Sequence, residues 1–159
     1  MQRRYFILAA TALAACGASG PVTLPPESTL ILTRHGDRSG SEDLLNDRGR
    51  QRARDLVTAL DGVALDAIYS PGIQRNLDTA APISEARGLA VNRIPQEAPT
   101  AALAAASAER SVLWVGNKGN LTTIWETLGL PGGPPLEYGD LTFLRSDADG
   151  RVSIERQRY

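Results

Sequence analysis

From Thr29 onward, short apolar runs alternate with amphipathic stretches. TLILT (29–33) is apolar and β-branched, the composition of a strand buried on both faces. After a polar segment, RGRQRARDLVTAL places Ala53, Leu56, Val57 and Leu60 at the i, i+3, i+4, i+7 spacing of one helix face. AIYS (67–70) reads as a second strand. Ser70-Pro71 then has the chemistry of a helix start, a serine to cap and a proline in the first turn. That helix is predicted to run to about Arg87, with Gly88 as its stop. AVNRI (90–94) is read as a third strand, the alanine-rich 98–108 as a third helix, and SVLWVG (111–116) as the clearest strand. NLTTIWETLG aligns Leu121, Ile124, Trp125 and Leu128 on one face and ends at Gly129. Trp114 and Trp125 are therefore expected in the core. PGGPP is a loop, and LTFLR and RVSIER form a closing hairpin around Asp149-Gly150.

Strand alternating with helix predicts an α/β fold, a three-layer α/β/α sandwich with a mostly parallel central sheet. Such sheets bind ligands at the carboxyl ends of their strands. Three segments fall at such ends: TRHG after the first strand, SPGIQR after the second and GNKGN after the fourth. The topology can gather them into one pocket.

The first 28 residues follow a different pattern. MQRRY is positively charged, FILAATALAA is too short an apolar run to span a bilayer, and LAAC (13–16) is followed by polar residues. This resembles the lipobox of bacterial lipoproteins, with an ordinary secretory signal and an incidental cysteine as the alternative. It implies a signal peptide over 1–15, a lipidated Cys16, a Gly/Pro/Ser-rich tether over 16–28 and a folded domain over 29–159. The expected location is the bacterial cell envelope, with the domain lipid-anchored to a membrane on its periplasmic or extracytoplasmic face.

Length and charge narrow the field further. The 159 residues suffice for one domain. A net charge of -1 provides no general attraction to nucleic acid, and none is expected as a partner. One histidine and one cysteine cannot build a zinc site, and no metal or other cofactor is called for. Arg48, Arg50, Arg52 and Arg54 alternate along a helix, so they point to different faces and read as solvated charge. GNKGN lacks the spacing of a P-loop.

The single histidine, His35, sits between Arg34 and Gly36 at a strand end. A neutral imidazole is a nucleophile when one nitrogen donates a hydrogen bond and the other keeps its lone pair. Arginine forks bind phosphoryl oxygens in bidentate fashion. Arg34 adjoins the histidine, Arg75 falls in the first turn after Ser70-Pro71, and Arg38 is a further cation within reach. One nucleophile with two or three arginines describes a phosphoryl-transfer pocket that works without metal.

TRHGDRSG, LLNDRGRQRA and IYSPGIQRNLDTA together resemble the histidine phosphatase superfamily, which includes the phosphoglycerate mutases. The resemblance runs from about residue 29 to 130, with Asn76 standing where the third motif usually has alanine. It implies the phosphoglycerate mutase-like fold and a phosphomonoesterase working through a phosphohistidine on His35. Arg34 and Arg75 would hold the phosphate, and Arg38 would resemble a second arginine seen after RHG in one branch. The family's second histidine, in a V-G-H pattern after the fourth strand, is replaced: this chain reads Val115, Gly116, Asn117. Asn117 can donate one amide hydrogen bond to phosphate but brings no charge, which implies reduced activity. The general acid is expected among Glu97, first, and then Glu42 and Asp43. Two further readings stand beside the enzyme: a degenerate phosphatase that binds a phosphorylated or anionic ligand without turnover, and a lipoprotein that merely retains the fold.

Overall fold

The computed structural model describes residues 20–159, so the expected signal peptide and Cys16 lie outside the described residues. Six strands and four helices follow in the order β1 (Thr29–Arg34), α1 (Asp47–Ala59), β2 (Ala67–Ser70), α2 (Gln74–Arg87), β3 (Val91–Arg93), α3 (Thr100–Ala106), β4 (Ser111–Gly116), α4 (Lys118–Thr127), β5 (Asp140–Ser146) and β6 (Val152–Arg158). They build one sheet in the order β3-β2-β4-β1-β5-β6. The first four members are parallel, and β5 and β6 add an antiparallel hairpin to the edge of β1.

The apolar runs explain the layers. In β1, Leu30 and Leu32 face one way and Ile31 the other, and all three are fully buried. In β4, Val112 and Trp114 alternate with Leu113 and Val115. One face of the sheet packs on Leu56 and Leu60 of α1's face and on Ala80 and Ile83 of α2. The other packs on Leu103 of α3 and on Leu121, Ile124 and Trp125 of α4. A strand buried on both faces cannot alternate with polar residues, which is why TLILT and SVLWVG are continuous apolar runs. The result is the α/β/α sandwich, with the mouths of β1, β2 and β4 at one edge.

Two expectations are corrected. The tether is too long at its C-terminal end: Leu24 is buried in the core and Val22 packs against it. There the Glu27 N–H donates to Asp147 O at 3.2 Å, and Ser28 O accepts from Ser146 N at 2.9 Å. Two apolar side chains spaced by one residue suffice to fix this segment on the α3/α4 face. Ser70 does not start α2. It ends β2, paired with Arg93, and its carbonyl accepts from Ile94 N. The sheet claims it, and the helix begins four residues later behind Ile73, which supplies no side-chain cap. Gly88, at φ 63°, ends α2 in the left-handed conformation that glycine adopts without strain. Both tryptophans are core residues.

Candidate active site

His35 is the first residue beyond β1, and its N–H continues the ladder onto Gly116 O of β4 at 2.9 Å. The side chain is only 2% exposed. Nδ1 lies 2.8 Å from Gly36 O; a carbonyl can only accept, so Nδ1 carries the proton and Nε2 keeps its lone pair. That lone pair faces Arg75, whose Nε donates to it at 3.1 Å. Burial lowers the His35 pKa to about 4, helped by the charges of Arg34, Arg75 and Arg38 and opposed by the bond to Gly36 O. The imidazole is thus held neutral, in one tautomer, at neutral pH.

The loop after His35 is fixed by close packing. Gly36 N donates to Thr79 Oγ1 at 2.8 Å, and that hydroxyl donates to Arg75 O at 2.7 Å, so one threonine of α2 ties the histidine loop to the arginine's own turn. A Cβ on Gly36 would lie 2.7 Å from Gly49 O, and one on Gly49 would lie 2.8 Å from Asp37 N. The loop therefore rests directly on the start of α1, where Asn46 caps the helix by accepting from Gly49 N at 2.9 Å. Asp37 is anchored by Arg52 at 2.5 Å and Arg48 at 3.5 Å, and Arg52 also donates to Tyr159 O at 2.6 Å. Two of the four clustered arginines of α1 thus brace the loop from behind.

Arg34 points its NH1 at Leu136 O, 3.0 Å away, and sits over the Tyr138 ring with Cζ 3.8 Å from the ring centroid. Its Nε is buried and has no partner among the described residues, and burial lowers its pKa. An arginine donor desolvated and unpaired is costly, and an anionic ligand would offset that cost. Tyr138 also meets His35 edge-on, with ring centroids 5.8 Å apart. Arg75 donates its NH1 to Asp43 at 2.6 Å. Arg38 donates to Glu42 O at 3.1 Å, closing a turn of the β1–α1 loop.

Arg75 is hydrogen-bonded to His35, Arg34 adjoins it in the chain and the charge of Arg38 acts on it, whereas Asn117, next after the Gly116 that accepts from His35 N, has a job of its own. Asn117 caps α4: its Oδ1 accepts from Asn120 N at 3.2 Å, while Asn120 Oδ1 accepts from Asn117 N at 3.0 Å. Its Nδ2 donates to Gln96 Oε1 at 3.1 Å. Both polar atoms of the side chain are therefore engaged. Gly116 is required here, because a Cβ would meet Asn120 Oδ1 and Trp114 Nε1, which bond to each other at 3.1 Å. Glu97 is exposed and, among the described residues, makes no hydrogen bond or ion pair; its neighbour Gln96 is the residue that reaches Asn117. Sequence reasoning missed Tyr138, Thr79's bond to Gly36 and Gln96. Thr79 lay inside a motif already singled out, whereas Tyr138 carried no signal beyond being an aromatic in a polar loop. Among the described residues, no three His, Cys, Asp or Glu side chains cluster as a metal site would require.

A buried, neutral histidine flanked by arginines at the carboxyl edge of a mixed α/β sheet defines the site. The model of the histidine phosphatase superfamily (branch 1) matches residues 30–96. The structure of the protein histidine phosphatase SixA complexed with tungstate superposes with a TM-score of 0.66 at 19% identity, covering 82% of this chain and 96% of that one. A putative phosphohistidine phosphatase SixA from Agrobacterium tumefaciens gives 0.64 at 21% identity, covering 84% and 99%. A mycobacterial glucosyl-3-phosphoglycerate phosphatase in complex with VO3 gives 0.63 at 17%, covering 83% and 98%. No curated protein matches the chain. The fold is phosphoglycerate mutase-like. Over residues 30–96 the chain is similar to the histidine phosphatase superfamily (branch 1), and its fold is shared with these solved structures.

Proposed function

We propose that this protein is a phosphomonoesterase that passes the phosphoryl group through Nε2 of His35, at reduced rate. The observation that carries the reading is the polarity of the imidazole: Nδ1 is committed to Gly36 O, and Nε2 faces the Arg75 guanidinium. A phosphoryl group on Arg75 is then presented to the only nitrogen lone pair on the ring. Arg34, with its unpartnered Nε, and Arg38 spread the charge that builds on the oxygens in the transition state. Nε2 attacks phosphorus and the leaving oxygen departs; water then attacks the phosphohistidine and returns His35 to its resting state. Tungstate and VO3 in the two related structures are oxyanions of the kind such a cluster would take.

Asn117 supports the reduction in rate. On this reading it stands in the place of the family's second histidine, and its polar atoms are occupied by a helix cap and by Gln96. The same observation favours the alternative of a phospho-ligand-binding protein without turnover. Hydrolysis of p-nitrophenyl phosphate by wild type and by His35→Ala separates the two. Turnover that disappears in His35→Ala supports the enzyme. No turnover, with vanadate still raising the melting temperature of wild type but not of Arg75→Ala, supports the binder. We further propose that Cys16 carries lipid and holds the domain at the extracytoplasmic face of a membrane, on the strength of the LAAC pattern alone.

A further inference from the structure

We propose that Asp43 is the carboxyl group that gives and takes the proton in both phosphoryl-transfer steps, an assignment that rests on the phosphohistidine reading above. Among the described residues, two aspartates are bonded into the site. Asp37 has each carboxylate oxygen held by an arginine of α1 and is 8% exposed, so it is locked behind the loop. Asp43 is open: its side chain is 56% exposed and makes one ion pair, to Arg75 NH1. The same guanidinium donates its Nε to His35 Nε2. Arg75 thus bridges nucleophile and carboxylate, and a phosphoryl group docked on its remaining edge lies beside both. Among the described residues, neither Glu97 nor Glu42, the other two carboxyl groups considered, has a side-chain hydrogen bond or ion pair.

The chemistry balances on Asp43. The first step starts with a proton on the Asp43 carboxyl group. In the first step the Nε2–P bond forms and the P–O bond to the leaving group breaks. The electron pair departs on that oxygen, and the Asp43 proton neutralises it. In the second step a water oxygen bonds to phosphorus, the Nε2–P bond breaks with its pair returning to His35, and the water proton passes to the Asp43 carboxylate. Phosphate leaves, and Asp43 again carries the proton with which the first step began.

Asp43→Asn tests this with two substrates. An alkyl phosphate has a basic leaving oxygen that needs a proton, whereas p-nitrophenolate leaves without one. The variant should lose roughly 100-fold or more in kcat/KM for the alkyl phosphate and only a few-fold for p-nitrophenyl phosphate. With the latter it should accumulate phosphoenzyme, since the second step still needs a base. Asp43→Glu should recover part of the alkyl phosphate activity. Equal losses on both substrates, or no loss on either, would overturn the assignment. So would a rise in turnover with tighter vanadate binding, which would make Asp43 a mere competitor for Arg75. Wild type that forms no phosphohistidine would overturn the underlying reading as well, and the wild-type control shows which has failed.

Discussion

Replacing Asn117 separates the cap it makes from the pocket role proposed for it, because aspartate keeps the first and histidine serves the second. Asn117 accepts from Asn120 N and so caps α4. Asn117→His removes that acceptor, and losing an N-cap costs about 1 kcal/mol. For a domain of this size that lowers the melting temperature by roughly 3 °C. If the position faces the anion, the imidazole adds a donor and a potential positive charge there. Turnover of p-nitrophenyl phosphate should then rise by about tenfold or more, roughly 1.4 kcal/mol of transition-state stabilisation. Asn117→Asp should do the reverse. It keeps the cap and favours the helix N-terminus, so the melting temperature should hold or rise slightly. Its negative charge, placed near the bound oxyanion, should weaken vanadate binding by roughly tenfold. Thermal melts with and without vanadate, together with initial rates, read both effects. Vanadate binding unchanged in Asn117→Asp and rate unchanged in Asn117→His would refute the placement of Asn117 at the pocket. An Asn117→His protein as stable as wild type would refute the cap.

Three other outcomes are expected. Gly49→Ala forces a methyl against the backbone of Asp37, which cannot yield as a side chain can; denaturant unfolding should show a loss of roughly 2 kcal/mol or more, and a neutral result would mean that the loop does not rest on α1. His35 is held neutral in the fold, with its pKa lowered from 6.5 to about 4, so between those values the unfolded chain binds more protons and stability rises with pH. The contribution is complete above about pH 6.5; on going from pH 7.5 to 4.5, wild type should lose up to about 2 kcal/mol more than His35→Gln in urea unfolding, and equal losses would show that the imidazole titrates freely. A labelled fatty acid should mark wild type and miss Cys16→Ser in cells, and equal labelling would end the lipoprotein proposal.

The layers were legible because burial dictates them. TLILT and SVLWVG are apolar at successive positions since helices cover both faces of the sheet, and Ala53, Leu56 and Leu60 turn one face of α1 inward. His35 and Arg34 were legible because they sit at the end of β1, and Arg75 because the first turn of α2 follows the end of β2; parallel strands bring such ends together. Local chemistry misled where a residue has two equally good uses. Ser70-Pro71 reads as a helix start, but pairing with β3 settles the serine in the sheet. Asparagine serves as well for a cap as for a pocket amide, and only the turn of α4 shows that Asn117 caps. Glu97 and Gln96 are neighbours whose order in space depends on a loop without periodicity. Tyr138 reaches Arg34 and His35 across about a hundred residues of chain, a distance that no local pattern encodes.

The most direct test of the central claim is to find the phosphoryl group on the protein. Wild type should be mixed with p-nitrophenyl phosphate, quenched in base, which preserves phosphohistidine, and digested for mass spectrometry under alkaline conditions. The account predicts an acid-labile phosphoryl group on the peptide containing His35, absent from His35→Ala and enriched in Asp43→Asn. Hydrolysis that continues in His35→Ala, or a phosphoryl group carried by any other residue, would contradict it.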